Sequence, residues 1–387
     1  MYTRRAVRGG RANKGDVMHD ETLALDVGPS DPEVPARPRA WPDQPFEFHG
    51  SGREYFRIWI VNLALSIVTL GIYSAWASVR TRRYFYANIW LAGSPFEYSA
   101  QPLPILRGRL IAVLMFGCYI LAGRTSPKLQ LVAAAVIAIL LPWLIVRGLA
   151  FRARYSSWRG LPFRFEPDFR GAYKWYLAMY LLIFPTLGLI YPWIKARQQQ
   201  WTVTHHRYGN ATFDFEADVT DYYIVLFATI GITILALVCA GFILVGVTGS
   251  SAGHPGTPGL KNHPLELLAT IYAVYLPAYL AIYAYSRSRM LNLLYNGARL
   301  AGGHRLRSTL GFWAMFWIYV SNLVAIICTV GLATAWAKVR MVRYRASHIV
   351  LQPAGDLDAF VAETTAQTDV GALGAEMDGF FSIDIGL

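Results

Sequence analysis

Apolar positions in this chain gather into long uninterrupted runs, not into the 3.6- or 2-residue periods of elements half-buried in a globular core. Tyr222 to Val247 carries no charge over roughly 26 residues, enough to cross a hydrocarbon layer ~30 Å thick. Leu129 to Val146 and Leu265 to Tyr285 read the same way, with Glu266 at the edge of the latter. Leu110 to Ala122 is short for a crossing and needs Arg107 and Arg109 to reach out toward the headgroups. The pattern predicts an α-helical polytopic membrane protein.

A second kind of apolar segment is repeated three times. Thr69-Leu70-Gly71 is followed by Trp76 and Arg80, Thr186-Leu187-Gly188 by Trp193 and Arg197, and Thr329-Val330-Gly331 by Trp336 and Arg340. An aromatic residue follows each arginine by four positions (Tyr84, Trp201, Tyr344), and another precedes each threonine by ten (Trp59, Tyr176, Tyr319). Residues four apart share a helix face, so Trp, Arg and the next aromatic form one stripe. Tryptophan belongs at the lipid interface and arginine just beyond it. Gly71, Gly188 and Gly331 mark a helix break, where two backbones approach or the chain turns, and the threonine satisfies freed carbonyls. The stripe reads first as an interfacial anchor. The alternative is a clamp on lipid phosphate or a substrate anion made by Arg80, Arg197 and Arg340.

A third element lies in the polar connections, a glycine followed after a short gap by Phe-x-aromatic. Gly93 precedes Phe96-Glu97-Tyr98, Gly160 precedes Phe163-Arg164-Phe165, and Gly209 precedes Phe213-Asp214-Phe215. Phe46 to Phe48 and His304 to Ser308 are looser copies. These predict short β-hairpins just outside the membrane, in repeats at about 46–100, 163–217 and 304–352. They also supply a topology test. If each Thr-x-Gly segment crosses once, there are seven single spans and Lys plus Arg from residue 46 divide 17 to 12. If each re-enters, only the 124–128 and 249–264 connections face outward, with Arg124, Lys128 and Lys261, and the division becomes 26 to 3. The second satisfies the positive-inside rule. We therefore expect four full spans plus three glycine-broken segments that re-enter or kink. Both termini and the hairpins would be cytoplasmic; seven single spans is the alternative.

Composition agrees. Of 387 residues, 55% are hydrophobic and 16% charged, against about a quarter charged in soluble domains. The net charge is +12, and from Ala354 onward there are seven acids and no Lys or Arg, leaving 17 acids against 36 bases elsewhere. Arginines that flank apolar runs fit membrane topology and not nucleic-acid binding. Residues 1–45 turn from basic to acidic and proline-rich without the apolar core of a signal peptide, so this tail and the acidic stretch 353–387 are expected to be disordered. Cys118, Cys239 and Cys328 lie inside apolar runs and read as small buried hydrophobes. No catalytic, nucleotide or metal motif is present. His205 and His206 read as a solvated strand edge, and His49, His304 and His348 lack a partner at ligand spacing. We expect no enzyme, metal or cofactor.

Phe46-Glu47-Phe48-His49-Gly50, Asn62, Thr69 to Tyr73 and Trp76 to Arg80 resemble the YjgN family of bacterial inner-membrane proteins. The resemblance covers about residues 45–352 and implies an inner-membrane location, but carries no substrate or catalytic residues. The second copy departs from it, with Met179 where the others have Asn62 and Asn322. Two functions stay open. A transporter or channel for a small solute would use Asn62, Thr69, Thr186, Asn322 and Thr329 as polar lining, and repeated broken helices lean that way. A non-catalytic scaffold or lipid-organising protein would present its basic face to anionic lipid or a partner.

Overall fold

The computed structural model describes residues 41–250 and 264–375, with side chains described over 41–242 and 275–368. The expected tail 1–45 therefore lies almost wholly outside the described residues, as do the side chains of Lys261 and Glu266.

Ten short strands set the architecture. They are β1 (Gln44–Phe48), β2 (Ile89–Leu91), β3 (Ser94–Tyr98), β4 (Ser156–Trp158), β5 (Leu161–Phe165), β6 (His206–Tyr208), β7 (Ala211–Phe215), β8 (Ala298–Leu300), β9 (His304–Ser308) and β10 (Ile349–Gln352). All neighbours are antiparallel, and β10 pairs with β1 to close a barrel. The predicted hairpins are present, yet they are not separate units: each is an arc of this one barrel. Closure leaves no unpaired edge, which strands of three to five residues need to be stable. At the β2–β3 and β4–β5 turns, Ala92 and Gly93 (φ +47° and +74°), and Arg159 and Gly160 (φ +49° and +77°), both adopt positive φ, as tight two-residue hairpins require.

Helices occupy every gap between an odd strand and the next even one. The first gap holds α1 (Gly52–Val68) and α2 (Ser74–Ala87), the second α3 (Pro102–Thr125) and α4 (Pro127–Arg154). The third holds α5 (Phe169–Tyr173), a π turn at Lys174–Ala178, α6 (Met179–Leu181) and α7 (Tyr191–Thr204). The fourth holds α8 (Val219–Ser250) and α9 (Pro264–Gly297), the fifth α10 (Phe312–Cys328) and α11 (Thr334–Ala346). In each case the outgoing and returning strands are hydrogen-bonded to one another, as in the Phe46–Leu91 and Phe163–Tyr208 pairs. The chain thus repeats one strand, helical hairpin, strand unit five times, where the Thr-x-Gly signature shows three. Successive helices pack around a ring, and α11 returns to α1.

Three helices among the described residues are long and apolar enough to cross a membrane: Pro102–Thr125, Pro127–Arg154 and Val219–Phe242. Their surfaces are largely exposed, with Leu110, Phe116, Leu131 and Phe242 open. Cys118, Cys239 and Cys328 are exposed as well. That corrects their reading as buried residues; on helices in a single ring, a small apolar side chain can face outward among others of its kind.

One register layer fills the barrel. Phe46, Leu91, Phe96, Trp158, Phe163, Tyr208, Phe213, Leu300, Leu306 and Leu351 are paired across adjacent strands and share a single enclosed space. On the odd strands the intervening positions point outward, with a charged residue exposed on each at Glu47, Glu97, Arg164, Asp214 and Arg305, the alternation that a pleated strand imposes. A final helix, α12 (Leu357–Ala375), forms where the acidic composition predicts disorder. Leu357, Thr364 and Thr368 are buried, so this helix belongs to the core. Truncating Trp158, 4% exposed in this layer, to alanine is expected to cost about 3–5 kcal/mol. Leu70→Ala, at a site 94% exposed, should change stability by less than about 0.5 kcal/mol; denaturation midpoints in detergent compare the two.

Candidate functional site

The fivefold unit carries a fivefold signature on its returning helices. Counting back fifteen, eleven and seven residues from the ring residue of each even strand gives Trp76, Arg80 and Tyr84; Trp143, Arg147 and Phe151; Trp193, Arg197 and Trp201; Tyr285, Arg289 and Leu293; Trp336, Arg340 and Tyr344. The second and fourth copies, at Arg147 and Arg289, escape the Thr-x-Gly pattern because their hairpins are long. The signal that finds them is aromatic-x3-Arg at a fixed distance from a strand. Its geometry is an i, i+4 contact: Arg147, Arg197 and Arg289 stack over Trp143, Trp193 and Tyr285 at 5.5, 5.9 and 5.7 Å. Arg80 is exposed, and Arg340 donates to Ser321 Oγ at 2.7 Å and Asn322 Oδ1 at 3.3 Å. Trp336 packs flat on Phe56 of α1, with centroids 4.6 Å apart, joining the last unit to the first.

The Thr-x-Gly segments are turns, and the helices on either side run antiparallel. Leu70, Leu187 and Val330 adopt φ of +50°, +50° and +51°, and the glycines that follow adopt +92°, +84° and +90°. Open space surrounds all three glycines, so each is needed for its positive φ and not for close approach. Thr69, Thr186 and Thr329 donate to the carbonyls of Leu65, Leu182 and Ala325 at 2.7, 2.6 and 2.7 Å. Thr69 and Thr329 also accept from the amides of Tyr73 and Ala333. Amides of Gly71, Gly188 and Gly331 close the turn onto Ser66, Ile183 and Ile326. The threonine hydroxyls are therefore committed to their own turns, at three separate tips of the helix ring. Asn62 lies elsewhere, 5% exposed, with neither side-chain amide atom hydrogen-bonded.

Two cavities line the barrel axis. The first, about 180 Å³, lies inside the ten-residue ring and is almost wholly apolar. Helix α12 covers its turn end. Phe360 stacks on Tyr208 at 6.5 Å and meets the His304 ring edge-on at 4.7 Å, and Asn210 Nδ2 donates to the Gln367 carbonyl at 2.7 Å. Arg159 pairs with Asp358. A Cβ at Gly209 would meet Thr368 Oγ1 at 2.7 Å, so glycine permits the close seat of α12. The second cavity, about 330 Å³, lies on the helix side and shares Phe46 and Phe96 with the first.

Two histidines depart from the expected solvated edge, and a third is buried. His205 and His206, expected on a solvated edge, are half-buried: the His205 ring packs on Trp201 and Phe165, and His206 stands edge-on to Phe165 at 5.0 Å. His304 is 2% exposed, and its Nδ1 accepts the Ala354 amide at 3.2 Å, just before α12. Burial pushes the His304 imidazole below its ordinary value of 6.5, so it is neutral at pH 7 and able to accept. Because the folded value is depressed, α12 docking is fully stabilised above about pH 6.5 and weakens as pH falls toward the lowered value. Protection factors over residues 357–368, with the base-catalysed intrinsic exchange rate divided out, should therefore fall between pH 7.5 and 5.5 in the native protein and lose that dependence in His304→Gln. Equal pH dependence in both would show that His304 does not hold α12.

Comparison with known proteins follows this architecture closely in extent. Residues 43–380 match the family described as "Bacterial protein of unknown function (DUF898)", which includes the barrel from its first strand and α12. The chain is 25% identical over 358 residues to "Inner membrane protein YjgN" of Salmonella typhimurium (strain LT2), covering 81% of this chain and 89% of that protein. Proteins of the same name from Escherichia coli O157:H7 and K12 are 32% identical over 149 residues, 38% of this chain and 37% of each. No solved structure matches the chain. Apolar helices and these relatives agree on an inner-membrane protein. The chain belongs to the DUF898 family.

Proposed function

We propose that this protein is a non-catalytic, lipid-engaging inner-membrane protein in which two helical hairpins cross the bilayer and three stop inside the cytoplasmic leaflet. The observation that carries this is the chemistry of the three tips. Leu70, Leu187 and Val330 are 94%, 92% and 93% exposed, while the turn backbone beneath them is hydrogen-bonded internally. An exposed apolar tip with its polar groups already satisfied suits hydrocarbon and not water.

The arginine ring supports the depth. In the three short hairpins the arginine follows the tip residue by ten positions, about 15 Å at ~1.5 Å per residue. That is half of a ~30 Å hydrocarbon layer. In the α3–α4 hairpin Arg147 lies 21 residues from the turn at Ser126, about 32 Å by the same rise, a whole layer. With all five arginines at one interface, the short tips end near the midplane and the long one emerges. The barrel, α12 and both termini then lie on the basic, cytoplasmic side. Above each short hairpin the outer leaflet stays open to lipid. A basic ring at the headgroups gives that lipid an anionic preference.

Solute transport is the second reading, favoured by the closed ring of helices coaxial with the barrel. A path would have to pass the apolar ring and lift α12. The experiment uses protein in liposomes with single spin labels at Leu70, Leu187 and Val330. Labels accessible to oxygen and shielded from water-soluble relaxants are expected, along with a several-fold preference for phosphatidylglycerol over phosphatidylcholine in the motionally restricted lipid. Water-exposed tips, or solute efflux without lipid preference, would overturn the reading.

A further inference from the structure

The cavity of about 330 Å³ on the helix side of the barrel has an unusual lining: apolar on its floor, where Phe46, Phe96 and Ile349 lie, and cationic on one wall, where Arg345 enters between Tyr86 and Tyr295. Arg345 Nε is buried with no hydrogen-bond partner, and the guanidinium reaches Tyr319 Oη through Nη2 at 3.4 Å. Arg287 lies near enough to act electrostatically, with Arg345, on the hydroxyls of both Tyr295 and Tyr319. It acts in turn on Lys195. Among the described residues no carboxylate pairs with Arg345, Arg287 or Lys195; the ion pairs lie on the barrel's outer face and at α12. Arg345, from α11, is the cation in the cavity lining among the described residues, and Arg287, from α9, acts on the same two tyrosines from outside that lining.

Such an arrangement is costly as it stands. Withdrawing a charge from water is repaid only by an opposite charge and by satisfied hydrogen bonds. The Arg345 guanidinium at the cavity wall, beside the Tyr295 hydroxyl, matches a tetrahedral oxyanion: it offers charge-assisted donors to the oxygens, and the hydroxyl adds one more. The apolar floor disfavours a ligand that is polar all round. We propose that this cavity is a phosphate-binding site, taking the oxyanion of a phosphomonoester or phosphodiester, with Arg345 as its principal contact and Arg287 supplying field. Inorganic phosphate and the phosphodiester of an anionic lipid share this chemistry. The lipid source rests on the leaflet reading above; the free-phosphate source does not.

The test uses the full chain purified in a phosphate-free nonionic detergent and follows its thermal midpoint and calorimetric binding with two probes, inorganic phosphate and phosphatidylglycerol in mixed micelles, diacylglycerol serving as the blank. At least one probe is expected to raise the midpoint. Arg345→Gln should bind it ~10- to 100-fold more weakly, whereas Arg305→Gln, which changes an exposed arginine on the barrel's outer face, should bind as the native protein does. Tyr295→Phe keeps every charge and removes one donor, so it should weaken binding while leaving the ligand-free midpoint unchanged, and it serves if Arg345→Gln does not fold. A response to phosphate alone assigns a soluble anion, and a response to phosphatidylglycerol alone assigns a lipid headgroup. No response to either, or a response undiminished in both cavity variants, overturns the site. The spin-label depths are independent of these outcomes, so failure of the site and failure of the leaflet reading are told apart.

Discussion

Every helical excursion in this protein leaves the barrel on one strand and returns on the strand hydrogen-bonded to it, and that pairing constrains everything else. Strands of three to five residues have little stability alone. Closed into a ring through the β1–β10 pairing, they have no edge to lose and share one apolar interior. An antiparallel ring with helices in alternate gaps puts all five helical hairpins at one end and the four tight turns, with α12, at the other. Hairpin length can then vary without disturbing the ring. This is how two long pairs and three short ones coexist on a fivefold scaffold.

The short hairpins meet a second constraint, that backbone placed among lipid must satisfy itself. A turn between antiparallel helices frees carbonyls and amides, and the three copies solve this identically. A threonine hydroxyl returns to its own helix, the next residue and the glycine take positive φ, and the glycine amide closes the loop. The residue left outermost is leucine or valine. The same hydroxyls that look like a polar lining in sequence are thereby spent inside the turn. On the returning helices the arginine keeps one distance from the strand in all five units, and in three of them it stacks on the aromatic four residues before it.

Much of this was legible in the sequence, for physical reasons. Glycine, threonine, tryptophan and arginine at fixed spacing expose the short hairpins because each residue type has one task there. Charge asymmetry pointed to segments that turn back on themselves, and the three Thr-x-Gly segments are turns between two helices. Barrel closure was not legible: β2, β4, β6 and β8 are three-residue strands, too short for a period, and pairing such as Gln44 with Leu351 joins opposite ends of the chain. Helix α12 was missed because composition was read over its acids. Leu357, Phe360, Val361, Thr364 and Thr368, at three- and four-residue spacing, mark the face that seats on the barrel. Arg345 was missed for a similar reason, since nothing local separates it from its exposed neighbour Arg343 until the barrel places one inward.

The central claim is that five helical hairpins hang from one closed barrel on one side of the membrane. Its most direct test places single cysteines at Glu97, Arg164, Thr212 and Arg305, one on each of four outgoing strands, in protein lacking its native cysteines. Each is labelled with a membrane-impermeant maleimide in inside-out and right-side-out vesicles. The account predicts that all four label only in inside-out vesicles. Labelling of any one of them only from the opposite side would break the ring and contradict it.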